Sequence, residues 1–147
     1  MGGDIIGENS IFLDNSYTSN GVAIENTGIC QIDKTILRKI LIKDHDFSLN
    51  LIKSLSKKLY ETEKLLEILS LKDSYTRLGA FLLYRARMTN DSYISLNQEN
   101  IASSINMTRE TVSRKLSQME KEGYIENIAY KKIRIKNLDA LIELTNM

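Results

Sequence analysis

The chain has one cysteine, one histidine, no proline and no tryptophan. A lone Cys30 forms no internal disulfide. With His45 it falls short of the ligands that a metal ion, an iron–sulfur cluster or a haem would need, so no metal and no cofactor is expected. No apolar run approaches the roughly 18–20 residues of a membrane span, and the amino terminus shows no basic region followed by an apolar stretch. No membrane span and no secretory signal is therefore expected, and cytoplasmic residence is the default. An enzyme is not expected either. There is no glycine-rich phosphate loop and no paired-acid motif, and a single Cys and a single His assemble no catalytic constellation. His45, between Asp44 and Asp46, reads as a capping or solvent-exposed residue.

Positive charge is missing from the first 32 residues, which hold four acids, Asp4, Glu8, Asp14 and Glu25, and no lysine or arginine. Residues 97–137 hold eight basic residues, Arg109, Arg114, Lys115, Lys121, Lys131, Lys132, Arg134 and Lys136, against five acids. The formal net charge of +1 hides this contrast. Affinity for a polyanion follows the local field and not the whole-chain sum, which makes the carboxy-terminal part the candidate nucleic-acid surface. The excess is modest, so a single copy is expected to bind weakly. A length of 147 residues allows one moderate core or two small ones.

Within that part, residues 97–123 (NQENIASSINMTRETVSRKLSQMEKEG) give two short helical patterns joined by a tight turn. Asn97 is placed to cap the first, whose apolar face is Ile101 and Ile105, with the small Ala102 where a partner helix comes close. Asn106 falls in the turn, where a left-handed backbone is needed and asparagine tolerates it. Thr108 caps the second helix, and Val112, Leu116 and Met119 recur at helical spacing as its buried stripe. Arg109, Glu110, Ser113 and Arg114 are left facing outward, near the amino-terminal end that enters the major groove in helix-turn-helix proteins. Arginine offers a two-pronged donor to guanine and glutamate accepts from the cytosine amino group, so these four are the candidate base readers.

An amphipathic helical hairpin with a solvated charged face would share that pattern, but the next segment argues against it. Gly123 stops the helix, and GYIENIAYKKIRIKN reads as two strands around a polar turn near 129–131, with Ile133 and Ile135 alternating with Arg134 and Lys136. A basic hairpin directly after such a helix is a wing suited to phosphate contacts. Thr108, Lys115, Lys131, Lys132, Arg134 and Lys136 are the candidate phosphate contacts, and double-stranded DNA is the expected partner. The alternative is a winged-helix protein–protein interaction module. Such modules present apolar anchors where this chain has Arg109, Glu110, Ser113 and Arg114.

Upstream, residues 47–70 contain no glycine or proline. Ile52, Leu55, Leu59, Thr62, Leu66 and Leu69 recur at alternating spacings of 3 and 4, a heptad seam flanked by charged residues. Two readings stay open: a coiled-coil homodimer, or one amphipathic helix packed on its own core. Thr62 is polar, which costs stability at a seam position and can fix register. Residues 72–88 read as a further helix with Asp73 near its start, where it suits the helix dipole. In it Leu78, Phe81, Leu82 and Tyr84 face inward and Arg77, Arg85 and Arg87 outward. Residues 93–96 read as a short strand, and 138–147 as a short apolar helix packing back on the domain.

Residues 7–137 resemble the Crp/Fnr family of bacterial transcription regulators, most strongly at TRETVSR, residues 108–114. The resemblance implies an α+β fold with a partial β-roll and short helix (1–43), a dimerisation helix (44–70) and a winged helix-turn-helix DNA-binding domain (71–147). It implies that Arg109, Glu110 and Arg114 read a TGTGA-like half-site of a palindromic operator. A homodimer would hold its two reading helices about 34 Å apart, one turn of DNA. RNA polymerase is a further partner by resemblance, placed on no particular residue here. Asn106 replaces the family's usual turn glycine. Lys115 takes a position more often apolar, where its stem can snorkel.

The segment GGDIIGENSIFLDNSYTSNGVAIENTGICQID reads as short strands with turns and resembles the last part of the family's cyclic-nucleotide-binding β-roll. Glu8 and Ser19 match places that contact a ribose or a phosphate oxygen, and Thr62 matches the place where the dimer helix meets adenine. Thr18 stands where cAMP-responsive members carry the arginine that neutralises the cyclic phosphate. Effector contact by Glu8, Thr18, Ser19 and Thr62 competes with a plainer role as turn, cap and seam residues. The earlier strands of the roll are absent from this chain, and open strand edges invite pairing. Packing against the dimer helix, strand exchange between subunits and truncation of a longer regulator all stay open.

Overall fold

A computed structural model describes residues 6–7, 12–13, 20–23, 26–129 and 132–146. By internal contacts the chain divides into two units, residues 1–55 and 56–147. The long helix expected at 44–70 runs from His45 to Ser70, and its two parts belong to different units.

In the first unit, α1 (Lys34–Lys43) is started by Asp33, whose Oδ1 accepts from the Thr35 amide at 2.8 Å and the Ile36 amide at 3.3 Å. These bonds satisfy orphan donors of the first turn and hold the Asp33 carboxyl below its ordinary pKa, the Thr35 hydroxyl first. Asp44 then ends α1 and opens α2 (His45–Ser70), accepting from the Phe47 amide at 2.9 Å. Among the described residues of this unit, Leu37 and Leu51 are buried. His45 is exposed. Among the described residues before Lys34 there is no strand. A strand without a neighbour leaves its amides and carbonyls unpaired, and much of the expected β-roll segment lies outside the described residues.

The second unit holds the rest of α2, then α3 (Ser74–Thr89), β1 (Tyr93–Ile94), α4 (Gln98–Ser104), α5 (Arg109–Lys121), β2 (Ile125–Ala129), β3 (Lys132–Ile135) and α6 (Leu138–Thr145). The three strands form one antiparallel sheet in the order β1-β3-β2, pairing Tyr93 with Arg134, and Ile125 with Ile135. An irregularity between Asn127 and Ala129 breaks the register near the hairpin tip, and the turn at 130–131 lies outside the described residues. Helices with a small antiparallel sheet make this the expected α+β class.

Local signals account for most boundaries. Asp73 accepts from the Thr76 amide at 2.7 Å at the start of α3, and Asn90 ends that helix in a left-handed conformation, φ +50°. Gly123, φ +84°, ends α5, with the Tyr124 amide donating back to the Met119 carbonyl at 3.0 Å, a closure that relieves terminal carbonyls. One continuous core joins Ile68 of α2 to Leu78, Phe81 and Leu82 of α3, Ile101 and Ile105 at α4, Val112, Leu116 and Met119 of α5, and Ile125, Ile133 and Leu141. Gly79 lets α6 approach α3 closely: a Cβ there would lie 3.2 Å from Thr145 Cγ2. Arg87 is exposed as expected. Arg85 is half-buried, and Arg77, expected outward, turns inward to carbonyl acceptors at 71 and 105. Helical period alone placed it outside, whereas unpaired carbonyls at two nearby helix ends draw the guanidinium in.

Candidate nucleic-acid interface

The site is built from the turn outward. Asn97 caps α4 through the Asn100 amide at 2.7 Å, and Ile101, Ala102 and Ile105 are buried. Asn106 then takes φ +52°, and the Met107 amide returns to the Ala102 carbonyl at 3.0 Å. Thr108 Oγ1 accepts from the Thr111 amide at 3.2 Å and starts α5. With Val112, Leu116 and Met119 committed to the core, the opposite face of α5 is open. Arg109, Glu110 and Arg114 are exposed and Ser113 half-buried.

Those four line one open groove of about 470 Å³ together with Gln98 and Ser117. Among the described residues neither the Arg109 nor the Arg114 guanidinium is engaged in a hydrogen bond or ion pair. Two free forks, one carboxylate and one amide therefore converge on a concave surface, a donor and acceptor set that fits base edges and phosphates. Gln98 and Ser117 were not among the sequence candidates. Ser117 lies one helical turn after Ser113, a signal that was legible, although its hydroxyl is spent on the Ser113 carbonyl at 3.0 Å. Gln98 opens α4, and only the crossing of the two helices brings it to the groove.

Polar ties brace α5 from behind. Lys115 is half-buried, does not line the groove, and holds its ammonium 5.5 Å from the Tyr75 ring centroid, a cation–π contact. Tyr75 Oη donates to Glu122, which also accepts from Gln118 Nε2 at 2.9 Å. Burial, then the Glu122 hydrogen bond, raises the Tyr75 pKa, and the same bond lowers that of Glu122. Glu120 accepts from both the backbone amide and the side-chain amide of Asn127, at 2.7 and 2.9 Å, which ties α5 to the wing and lowers the Glu120 pKa. On the wing, Lys132 lies 4.6 Å and Arg134 5.8 Å from the Tyr93 ring centroid. Lys132, Arg134 and Lys136 are all exposed, and Arg134 approaches Glu126 at 3.8 Å. Lys131 lies outside the described residues.

On α2, Ile52, Leu59, Thr62 and Leu66 are exposed, while Leu55 and Leu69 are half-buried. Leu69 packs on the core of the second unit. Ile52 and Leu55 line an apolar pocket of about 380 Å³ with Phe12, Leu41, Ser48 and Leu51. The Thr62 hydroxyl donates to the Lys58 carbonyl at 2.8 Å. Glu8, Thr18 and Ser19, named as effector contacts, lie outside the described residues. Among the described residues no group of three or more His, Cys, Asp or Glu is placed to hold a metal ion, and no helix is long and apolar enough to cross a membrane.

Residues 76–144 match the family model of the Crp-like helix-turn-helix domain. The chain is 27% identical over 150 residues to the anaerobic regulatory protein of Haemophilus influenzae, covering 97% of this chain and 58% of that protein. A CooA variant from Carboxydothermus hydrogenoformans superposes with a TM-score of 0.69 at 29% identity, over 77% of this chain and 55% of that one. The chain belongs to the Crp/Fnr family. A further relative, the global nitrogen regulator of a Synechocystis strain, is 35% identical over 108 residues, covering 68% of this chain and 48% of that protein. This Crp/Fnr chain thus spans about half the length of the curated relatives it matches.

Proposed function

We propose that this Crp/Fnr-family chain is a transcription regulator that binds a palindromic DNA operator as a homodimer, reading bases with Arg109, Glu110, Ser113 and Arg114. The observation that carries the reading is the groove itself, where two arginine forks free of internal partners stand beside Glu110 at the amino-terminal end of a buried-backed helix. Arg109 and Arg114 donate to guanine and Glu110 accepts from the opposing strand's cytosine, each good pairing being worth about 1–3 kcal/mol of base discrimination. Thr108, Lys132, Arg134 and Lys136, with Lys131, contact phosphates, and Gln98 joins them from α4. Lys115 serves instead by bracing α5 against Tyr75.

A second copy is called for by the α2 seam. Ile52, Leu59 and Leu66 fall seven residues apart and are 58%, 61% and 61% exposed. A helix packed only on its own core would bury that row. Pairing it in a parallel dimer removes it from water and presents two reading helices to half-sites one turn apart. Thr62, its hydroxyl already satisfied, sits in the seam as a register residue. RNA polymerase contact and residence in the cytoplasm follow for a regulator of this kind.

The test is fluorescence anisotropy of the whole chain with a duplex carrying two TGTGA-like half-sites, against a scrambled duplex, over a range of salt. Preference for the palindrome is expected, with Arg109→Ala losing more affinity for it than for the scrambled duplex. Equal losses on both would refute base reading by Arg109. Substituting Lys132, Arg134 and Lys136 should weaken both duplexes alike and flatten the salt dependence.

A further inference from the structure

Arg77 lies one turn into α3, where it meets the carboxy-terminal ends of two other helices. Its Nε donates to the Leu71 carbonyl at 2.9 Å, and Nη2 donates to the same oxygen. Leu71 is the residue immediately after α2, at the junction of α2 and α3. Its third contact, from Nη1, reaches the Ile105 carbonyl at 3.4 Å, at the residue that caps α4 and precedes the left-handed Asn106. Helix carboxy termini leave carbonyls unpaired and carry partial negative charge. A guanidinium can answer two such ends at once in a set geometry, because its donors fan out in a fixed plane. Arg77 is half-buried, so the link is shielded from competing water.

The link spans the route from the seam to the reader. Ile68, in the last turn of α2, is fully buried in the core that also holds Ile101, Ile105, Val112 and Leu116, with Leu65, Leu69 and Leu71 packed against it. Apolar packing holds these elements together but is non-directional, and a hydrogen bond across the short junction at residues 71–73 adds a direction. The Arg77 fork supplies that direction, since it grips the junction by its backbone oxygen and the turn of the helix-turn-helix by another.

We infer that Arg77 is a positioning residue that locks the helix-turn-helix to the end of α2 and thereby sets the half-site spacing a dimer accepts. The inference rests on the proposed dimeric DNA reader for its spacing consequence, but its structural part stands without DNA.

Both parts are tested on the full chain with Arg77→Ala and Arg77→Lys. The second keeps the charge and the stem but lacks the fork, and protects the test if the alanine variant does not fold. Spin labels on exposed Glu63 of α2 and Ser103 of α4, with Cys30→Ser, report the distance distribution between the two elements. A narrow distribution is expected for the parent and a broader one for Arg77→Lys, with thermal unfolding still cooperative. On DNA, Arg77→Lys should bind a single half-site duplex within about twofold of the parent. Its preference for the best-spaced palindrome over duplexes lengthened or shortened by one base pair should fall about tenfold, and Arg77→Ala should fall further. A distribution as narrow as the parent's would overturn the inference, as would equal losses on single and paired half-sites. If the parent binds no DNA, the proposed function fails while the distance measurement still decides the role of Arg77.

Discussion

Asn106 offers a direct test of how the reading turn is made. Its φ of +52° lies in the left-handed region, which costs an ordinary L-residue roughly 1–2 kcal/mol because Cβ crowds the following carbonyl oxygen. Asparagine is penalised less than most, and its exposed side chain is open to solvent. Asn106→Ala should therefore lose about 1 kcal/mol. Asn106→Val should lose more than about 2 kcal/mol, since a β-branched residue is a true outlier at positive φ. Asn106→Gly trades relief of that strain against the larger entropy of a glycine in the unfolded chain, about 0.5–1 kcal/mol. The two terms are of similar size, so its stability should stay within about 1 kcal/mol of the parent. The assay is urea unfolding followed by circular dichroism, with equal slopes required before midpoints are compared. The order expected is glycine near the parent, then alanine, then valine. A valine variant as stable as the parent would mean that the turn escapes the left-handed conformation and that the sequence argument for Asn106 is unfounded.

Other outcomes follow from the same geometry. Leu59→Glu places a charge in the exposed seam, so sedimentation should show a dimer for the parent and a folded monomer for the variant; an unchanged dimer would remove the seam. Gly79→Ala sets a helix-propensity gain of about 1 kcal/mol against a Cβ 3.2 Å from Thr145 Cγ2, leaving stability within about 1 kcal/mol. Gly79→Leu should cost about 1–3 kcal/mol through overpacking, and a leucine variant as stable as the parent in urea would contradict the close approach of α6. Glu120 has its carboxyl lowered below the ordinary 4.5 by its Asn127 hydrogen bonds. Its contribution is then complete above the unfolded value and fades as pH falls through the folded one. The urea midpoint gap between the parent and Glu120→Gln should narrow below about pH 4.5, and a gap that does not change with pH would show that the carboxylate has no part in it.

What was legible in the sequence was what is decided within a few residues. Asn97, Thr108 and Gly123 cap or stop their helices as read, and Asp73, read as suiting the helix dipole, also caps α3, because each acts on backbone groups three to five positions away. The buried stripe of Val112, Leu116 and Met119 followed from helical period alone. Long cations were read less well. Arg77, expected outward, turns inward, and Lys115, expected as a snorkelling side chain and a phosphate contact, holds its ammonium over Tyr75. In both cases the destination is an acceptor or ring on another element, and nothing in the local spacing reveals it. The amino-terminal strands were a different difficulty: a strand is defined by pairing with a distant segment, which local spacing does not reveal, and none is present among the described residues before Lys34.

The division of labour among polar side chains explains why the DNA reading can be tested cleanly. Glu120, Glu122, Tyr75 and Arg77 are all spent on bonds inside the molecule. Replacing any of them disturbs the frame, and a loss of binding would then be ambiguous. Arg109 and Arg114 are exposed and make no such bond, so their removal should change folding stability by no more than about 0.5 kcal/mol. Two exposed arginines with no partner among the described residues add little to a fold. The proposed reading gives them a role outside the fold, as donors to the acceptor edges of DNA bases. Unchanged unfolding midpoints with lost palindrome preference are the joint result that this argument requires. A substantial loss of stability in Arg109→Ala would instead place Arg109 in the frame and leave the groove without its principal reader.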